Sequence, residues 1–314
     1  MRILITTGLS SGSIGGPAQY GPRLKNEFER LGHNVKLAQY GSVESAMLKI
    51  WPSVYWADYI LALDTFSVGV PSVLAAKLFG RKVIVRVGGD FLWSAYVNRT
   101  NEPITLPDFY ENMPKLNVKE RLIFSFTKKM VAGADFLAFN TEWQREIWQK
   151  RYDISYLKSG VVRNYIPEKR EGEISTTKNF LWAGRVIPEK NPKMLEKFGV
   201  DVTTGKSHEE VLEKIRNSYV VVSLAFTDIC PNFVIEGISF GKPFIMTRET
   251  GLNELMSKGG IFVNPCDEEE ISRAFKAMLD EDTYNKYLEE LNSLNLSHNW
   301  AKMAEEYLEI WKEI

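Results

Sequence analysis

Two carboxylates and two cations carry the chemistry this sequence can offer. Asp228 and Glu236 stand eight positions apart in TDICPNFVIEG, and Arg185 and Lys190 stand five apart in GRVIPEKN. Guanidinium and ammonium groups on one loop suit a diphosphate. A carboxylate beside such a site would repel phosphate, so its presence implies a ligand that also offers hydroxyls, as the sugar of a sugar nucleotide does. Glu236 follows Asn232 by four residues, one helical turn, and therefore projects beside the helix N-terminus whose amides attract an anion.

The elements that must position these groups are legible around them. Tyr219 to Leu224 is a short β-branched apolar run of the kind buried on both faces of a parallel sheet. Pro231 and Asn232 open a helical stretch from Phe233 to Phe240, which Gly241 and Pro243 stop. Ligands of open α/β sheets bind beyond the carboxyl ends of strands, so the loop from Thr227 to Asn232 is the first place to look. FLWAGR places Arg185 and Lys190 just past another strand. A plainer reading stays open, in which Glu236 only favours its helix, Asp228 caps a turn and Pro188-Glu189-Lys190-Asn191 is a solvated helix start. Gly205-Lys206-Ser207 is not a Walker A loop, because position 200 is Val where a glycine is required. Asp280-Glu281-Asp282 spells a D-x-D but interrupts a surface helical pattern, and reads as a solvated turn.

DICPNFVIEGISFGKP resembles the donor-site signature of glycosyltransferase family 4, E-x7-E followed by a small-residue helix and G-x-P. Asp228 replaces the first Glu and shortens its reach by one methylene. GRVIPEKN is similar to the family's G-R-x4-K, and GKPFIMTRETGLNELM to its G-x-P strand with a glycine turn, placing Gly251 and Glu254 near the donor. Gly205 and the S-H-E-E helix start resemble a further family segment, with Ser207 as cap. Gly15 and Gly16, in GLSSGSIGGPAQYG, resemble the glycine loop that approaches the donor diphosphate; a plain turn is the alternative, and G-x-G-x-x-G is not matched. RVGGDFLW resembles the segment that often carries a donor-contacting histidine; none is present, which leaves Asp90 as the nearest polar candidate. The room between Asn191 and Val202 suits little more than one helix, so a β-α unit usual in relatives is expected to be missing.

The resemblance implies an α/β protein of the GT-B class, two Rossmann-like parallel-sheet domains facing a central cleft. It implies retaining transfer of a sugar from a nucleotide-diphosphate donor to a glycan, lipid-linked or small acceptor, with no divalent metal and no other cofactor. In that reading Arg185, Lys190 and the helix start at Pro231, Asn232 and Phe233 hold the diphosphate, Asp228 the sugar and Glu236 the ribose. A non-catalytic sugar-nucleotide binder and an epimerase on the same fold remain alternatives.

Composition agrees with a two-domain globular chain of 314 residues, 44% of them apolar. Cys230 and Cys266 make no disulfide framework, and His33, His208 and His298 are too scattered for a histidine metal centre. No apolar run reads as a membrane span, and a cytoplasmic protein is expected. Lys and Arg against Asp and Glu give 21 − 14 = +7 for residues 1–165 and 18 − 26 = −8 for the rest. The basic half implies an anionic acceptor or peripheral contact with the inner face of a membrane, or merely two solvated faces; no nucleic acid is expected. VKERLIFSFTKKMV (Val118 to Val131) reads as an amphipathic helix, core-packed in preference to membrane-bound. The expected organisation is an N-terminal domain to residue 167, a polar linker at 168–178, a donor domain to 296, and a last helix returning to the first domain. Residues 98–117, with three prolines, read as a long loop bordering the acceptor site.

Overall fold

The computed structural model describes residues 1–8, 16–172, 175 and 177–314. Gly15 and most of the glycine-rich loop lie outside them. The chain forms two compact units, Met1–Tyr96 with Met113–Asn164 and Asn299–Ile314, and Val97–Asn112 with Tyr165–His298.

In chain order the elements up to residue 161 are β1 (Arg2–Thr7), α1 (Gly16–Arg30), β2 (Asn34–Gln39), α2 (Val43–Lys49), α3 (Trp51–Trp56), β3 (Tyr59–Ala62), α4 (Gly69–Phe79), β4 (Lys82–Val87), α5 (Phe91–Thr100), α6 (Leu106–Glu111), α7 (Val118–Gly133), β5 (Phe136–Phe139), α8 (Glu142–Tyr152) and β6 (Ser159–Val161). There follow β7 (Phe180–Ala183), α9 (Pro192–Lys197), β8 (Asp201–Thr203), α10 (His208–Asn217), β9 (Val220–Ser223), α11 (Asn232–Ser239), β10 (Phe244–Thr247), β11 (Gly260–Val263), α12 (Glu268–Leu279), α13 (Glu281–Ser293) and α14 (Trp300–Glu313).

The first unit holds the six-stranded sheet β2-β1-β3-β4-β5-β6 and the second the five-stranded sheet β11-β10-β9-β7-β8, with every pair parallel. Parallel strands joined by helices are buried on both faces, which is why the strands read as nearly continuous apolar runs. In β9 the alternation still sorts the side chains: Val220 and Val222 join Phe180, Ile245 and Ile271 in one core, while Val221 joins Leu181, Phe244 and Val234 in the other. The connection from β7 to β8 holds a 3-10 turn and one short α-helix, α9, and the second sheet has one strand fewer than the first. No helix among the described residues is long and apolar enough to cross a membrane.

The last helix packs on the first unit. Trp300 meets Tyr20 edge-on at 4.9 Å, Trp311 lies 5.5 Å from Phe28 and 5.4 Å from Tyr59, and buried Arg86 donates to the Tyr307 hydroxyl at 2.6 Å.

Two expectations about organisation change. Residues 98–117 are not one loop: α5 runs to Thr100 and α6 forms behind Thr105, whose hydroxyl accepts from the Asp108 amide. Residues 97–112 also belong to the second unit, where the Leu106 amide donates to Thr227 Oγ1 at 2.8 Å and Asn98 Nδ2 to Glu189 Oε2 at 3.3 Å. The stretch expected as a free linker is strapped to the second unit from Tyr165 onward. Ile166 and His298 exchange backbone bonds, the Arg170 amide donates to Ser239 O at 2.7 Å, and Lys169 Nζ caps Asn292 O. Polar side chains mark that stretch as surface, but its Arg170 amide pairs with the end of α11 and its Lys169 side chain with the end of α13.

Candidate functional site

In the second sheet β8 lies on one side of β7 and β9 on the other, so the direction of winding reverses between β7 and β9. That reversal opens a crevice at the carboxyl ends of the two strands, the place where open α/β sheets take ligands. The loops leaving β7, β9 and β10 are tied together there by main-chain bonds. Phe226 N–H donates to Glu189 O at 3.1 Å, Asp228 N–H to Glu249 O at 3.0 Å, and Gly251 N–H to Ile229 O at 3.0 Å.

On this frame Lys190 and Asp228 meet. Lys190 ends a 3-10 turn, Pro188–Lys190, after β7, and its Nζ lies 3.4 Å from Asp228 Oδ1 after β9. Ser223, the last residue of β9, donates from Oγ to Asp228 Oδ2 at 3.0 Å. Both charged side chains remain partly accessible, 26% and 19%. Asp228 is thus an ion-pair carboxylate and not a helix cap. Arg185 stands exposed on the same loop, three residues before the turn.

Helix α11 starts at Asn232 behind Pro231, with no side chain capping it. Its N-terminus therefore carries the partial positive charge of unshielded first-turn amides, Phe233 among them. Gly237 holds the helix against the sheet: a Cβ there would stand 2.6 Å from Val221 Cγ2. Glu236, the residue before it, is 18% exposed, and its Oε1 lies 2.7 Å from Nε2 of His208, the first residue of α10. The Glu236 hydrogen bond raises the His208 pKa above its ordinary value against the opposing effect of burial; Glu209 adds to the rise and Arg170 opposes it. Gly205, with φ +68°, turns the chain from β8 into α10, and Ser207 with Glu210 forms the reciprocal cap that fixes where α10 begins.

The remaining sequence candidates divide. Gly251 and Glu254 form the 3-10 turn after β10, with Glu254 exposed. Gly16 is the first residue of α1. Asp90 departs from its expected role: it is 3% exposed, and its two oxygens accept from the Trp93 amide at 2.8 Å and Trp148 Nε1 at 2.9 Å. It anchors the start of α5 on the first unit's core, because a buried carboxylate takes the nearest internal donors. Asp280, the first residue of the D-x-D, caps α13 through the Thr283 amide and hydroxyl.

Two features of the site carry no clear mark in the sequence. One is the His208–Glu236 contact: the S-H-E-E start places His208 at the head of a helix, but nothing local pairs it with a carboxylate 28 residues later. The second is an acidic cluster: Glu249 has its pKa raised by burial and then by Asp108, and the Cys266 thiol is pushed up by burial, Asp108 and Glu249. Asp108 arrives there on α6, far away in sequence. Cys230 and Cys266 are not joined in a disulfide. Among the described residues no cluster of three or more metal-binding side chains occurs.

No protein-family model matches the sequence, and no curated protein matches it. Solved structures match the fold over its whole length. HepE from Anabaena, in complex with UDP and glucose, is 12% identical with a TM-score of 0.65, covering 100% of each chain. Sucrose-phosphate synthase from Thermosynechococcus elongatus is 11% identical at a TM-score of 0.70, covering 99% of this chain and 98% of that one. WaaG, a glycosyltransferase of lipopolysaccharide biosynthesis, is 12% identical at 0.70, covering 99% of each. The fold is that of the GT-B glycosyltransferases, an α/β fold with two parallel sheets.

Proposed function

We propose that this protein is a glycosyltransferase of the family-4 type, moving a sugar from a nucleotide-diphosphate sugar to an acceptor with retention of anomeric configuration. The observation that carries the reading is the Lys190–Asp228 pair at the switch point of the second sheet, one short loop from the uncapped start of α11. The neighbour HepE holds UDP and glucose, which makes UDP-glucose the first donor to test here.

Bond cleavage leaves negative charge on the departing diphosphate and positive charge on the sugar. Arg185, Lys190 and the first-turn amides at Asn232 and Phe233 take the diphosphate, with Pro231 setting the start of that helix. Preorganised donors of this kind are each worth about 3–4 kcal/mol toward a developing anion. Asp228 accepts from the hydroxyls of the transferring sugar, and Glu236 accepts from the ribose. Gly205 lets backbone approach the donor, and Glu254 borders it. Two cations with a helix terminus supply the charge that Mg²⁺ supplies elsewhere, so we propose metal-independent transfer.

Incubation with a panel of UDP-, GDP- and ADP-sugars, with release of nucleoside diphosphate as readout, tests the proposal. Release with at least one donor, unchanged by EDTA, is the expected result. Tight donor binding without any release would favour a sugar-nucleotide binder, and loss with EDTA restored by Mn²⁺ would remove the metal-independent step.

A further inference from the structure

The first unit carries a helical face that its own core does not use. Helix α7 buries Ile123, Thr127, Met130 and Val131 inward, yet Val118, Leu122 and Phe126, spaced four residues apart, stand exposed on its outer side. Residues at i, i+4 and i+8 lie along one stripe of a helix. Helix α4 packs beside α7 so closely that a Cβ on Gly133 would come 2.5 Å from Val73 Cγ1 and 3.0 Å from Lys77 Cε. It adds exposed Leu74 and Leu78, again one turn apart.

The exposed charges that these two helices carry have one sign. Lys77 on α4 and Lys119, Arg121, Lys128 and Lys129 on α7 are all exposed, giving +5. The single carboxylate on the two helices, Glu120, is 2% exposed and turned into the capping box with Asn117. On the neighbouring α2, Glu44 has its pKa lowered first by its own backbone amide and by Ser42, and lastly by Lys119 of α7.

An apolar stripe on two helices whose exposed charges are all cations excludes most occupants. A second copy of the same face would set five positive charges against five. A polyanion of phosphates alone would answer the lysines but gain nothing from Leu122 and Phe126. An anionic lipid surface answers both, with acyl boundary for the apolar side chains and headgroups for the cations. We propose that the outer face of α7 and α4 docks this protein on an anionic membrane surface. The proposal does not rest on the donor-site reading, and it places the basic charge of the N-terminal half on particular helices.

Flotation with phosphatidylcholine vesicles, with and without phosphatidylglycerol, tests it without any turnover assay. The protein is expected to float with the anionic vesicles at low salt, more weakly as the screening length falls to about 8 Å at physiological salt, and not with neutral vesicles. Lys128→Gln with Lys129→Gln is expected to weaken partition roughly thirtyfold. Leu122→Ser with Phe126→Ser is expected to remove the part of binding that survives added salt. All four positions are exposed, so the melting temperatures of both variants should match the parent. Three outcomes overturn the proposal: no flotation at low salt, equal binding to neutral and anionic vesicles, or parent-like flotation of both variants. Retention on heparin that ignores the Leu122 and Phe126 changes, without flotation, would assign the face to a soluble polyanion instead.

Discussion

Lys190 and Asp228 approach to 3.4 Å from opposite sides of the switch point in the second sheet, each carried on the loop that leaves its strand. A partly exposed pair of this kind contributes little to folding, about 0–1 kcal/mol. In the proposed reaction the same two groups serve opposite charges, Lys190 the departing diphosphate and Asp228 the sugar. Lys190→Ala is therefore expected to leave the melting temperature nearly unchanged while lowering kcat/KM on the order of tenfold to a hundredfold. Because the two side chains touch, their effects should not add: in the double variant with Asp228→Asn the Lys190 loss should be smaller than alone. Strict additivity of the two losses in steady-state kinetics would show that they do not act on one site.

The two carboxylates should separate by kinetic signature. Glu236, proposed to hold the ribose, makes that contact in ground and transition states alike, so Glu236→Gln is expected to weaken donor and free nucleoside diphosphate binding with kcat nearly kept. Asp228, proposed to hold the transferring sugar where positive charge develops, is expected to show the reverse in Asp228→Asn. Hydrogen bonds to a charged group are worth roughly 1.5–3 kcal/mol, so each loss should be about tenfold to a hundredfold. Calorimetric titration with nucleoside diphosphate distinguishes them: unaltered affinity in Glu236→Gln would sink the ribose assignment.

The His208–Glu236 contact predicts a pH dependence of stability with a definite sign. Hydrogen bonding to Glu236 holds the folded-state pKa of His208 above its ordinary value of about 6.5. The contribution is thus fully present below about pH 6.5 and is lost as pH rises through the raised folded value. Thermal melts of the parent and His208→Gln across this range should differ most at the acid end and converge at the alkaline end. The imidazole is 41% exposed, so solvent screens the pair and the gap should be small. A gap that widens with rising pH would mean that the histidine is held neutral and that the pair is not an ionic one.

What the sequence disclosed about this site followed from how local each feature is. The strand, loop and helix from Tyr219 to Gly241 could be read directly, because an apolar β-branched run, Pro231 and a terminal glycine each act within a few residues. Pairing across the fold could not. Glu236 reaches His208 only because α10 and α11 pack side by side, and Asp108 joins Glu249 only because residues 97–112 fold into the second unit. Asp90 misleads for the same reason. Its place at a strand end invites a ligand role, whereas the buried Trp148 indole that claims it sits on α8, 58 residues later.

The Arg86–Tyr307 bond ties the last helix to the first sheet and should govern how firmly it stays there. Arg86 lies in the middle of that sheet, on β4, 3% exposed, and donates at 2.6 Å to the Tyr307 hydroxyl, itself fully buried on α14. Asn164 Oδ1 and Val162 O accept from the same guanidinium, and the Tyr20 ring lies 4.8 Å from it. Tyr307→Phe keeps the ring and its packing but removes one acceptor from a buried cation. Leaving a buried donor unmatched costs about 1–3 kcal/mol, and more for a charged group, so the variant should unfold at clearly lower denaturant with the m-value unchanged. Trp311→Ala removes a ring that packs on both Phe28 and Tyr59 and should cost about 3–5 kcal/mol. Neither residue belongs to the second unit, so nucleoside diphosphate binding to the folded fraction should persist in both variants. A Tyr307→Phe protein as stable as the parent would mean that Arg86 is satisfied without α14, and that the helix is held by its aromatic contacts alone.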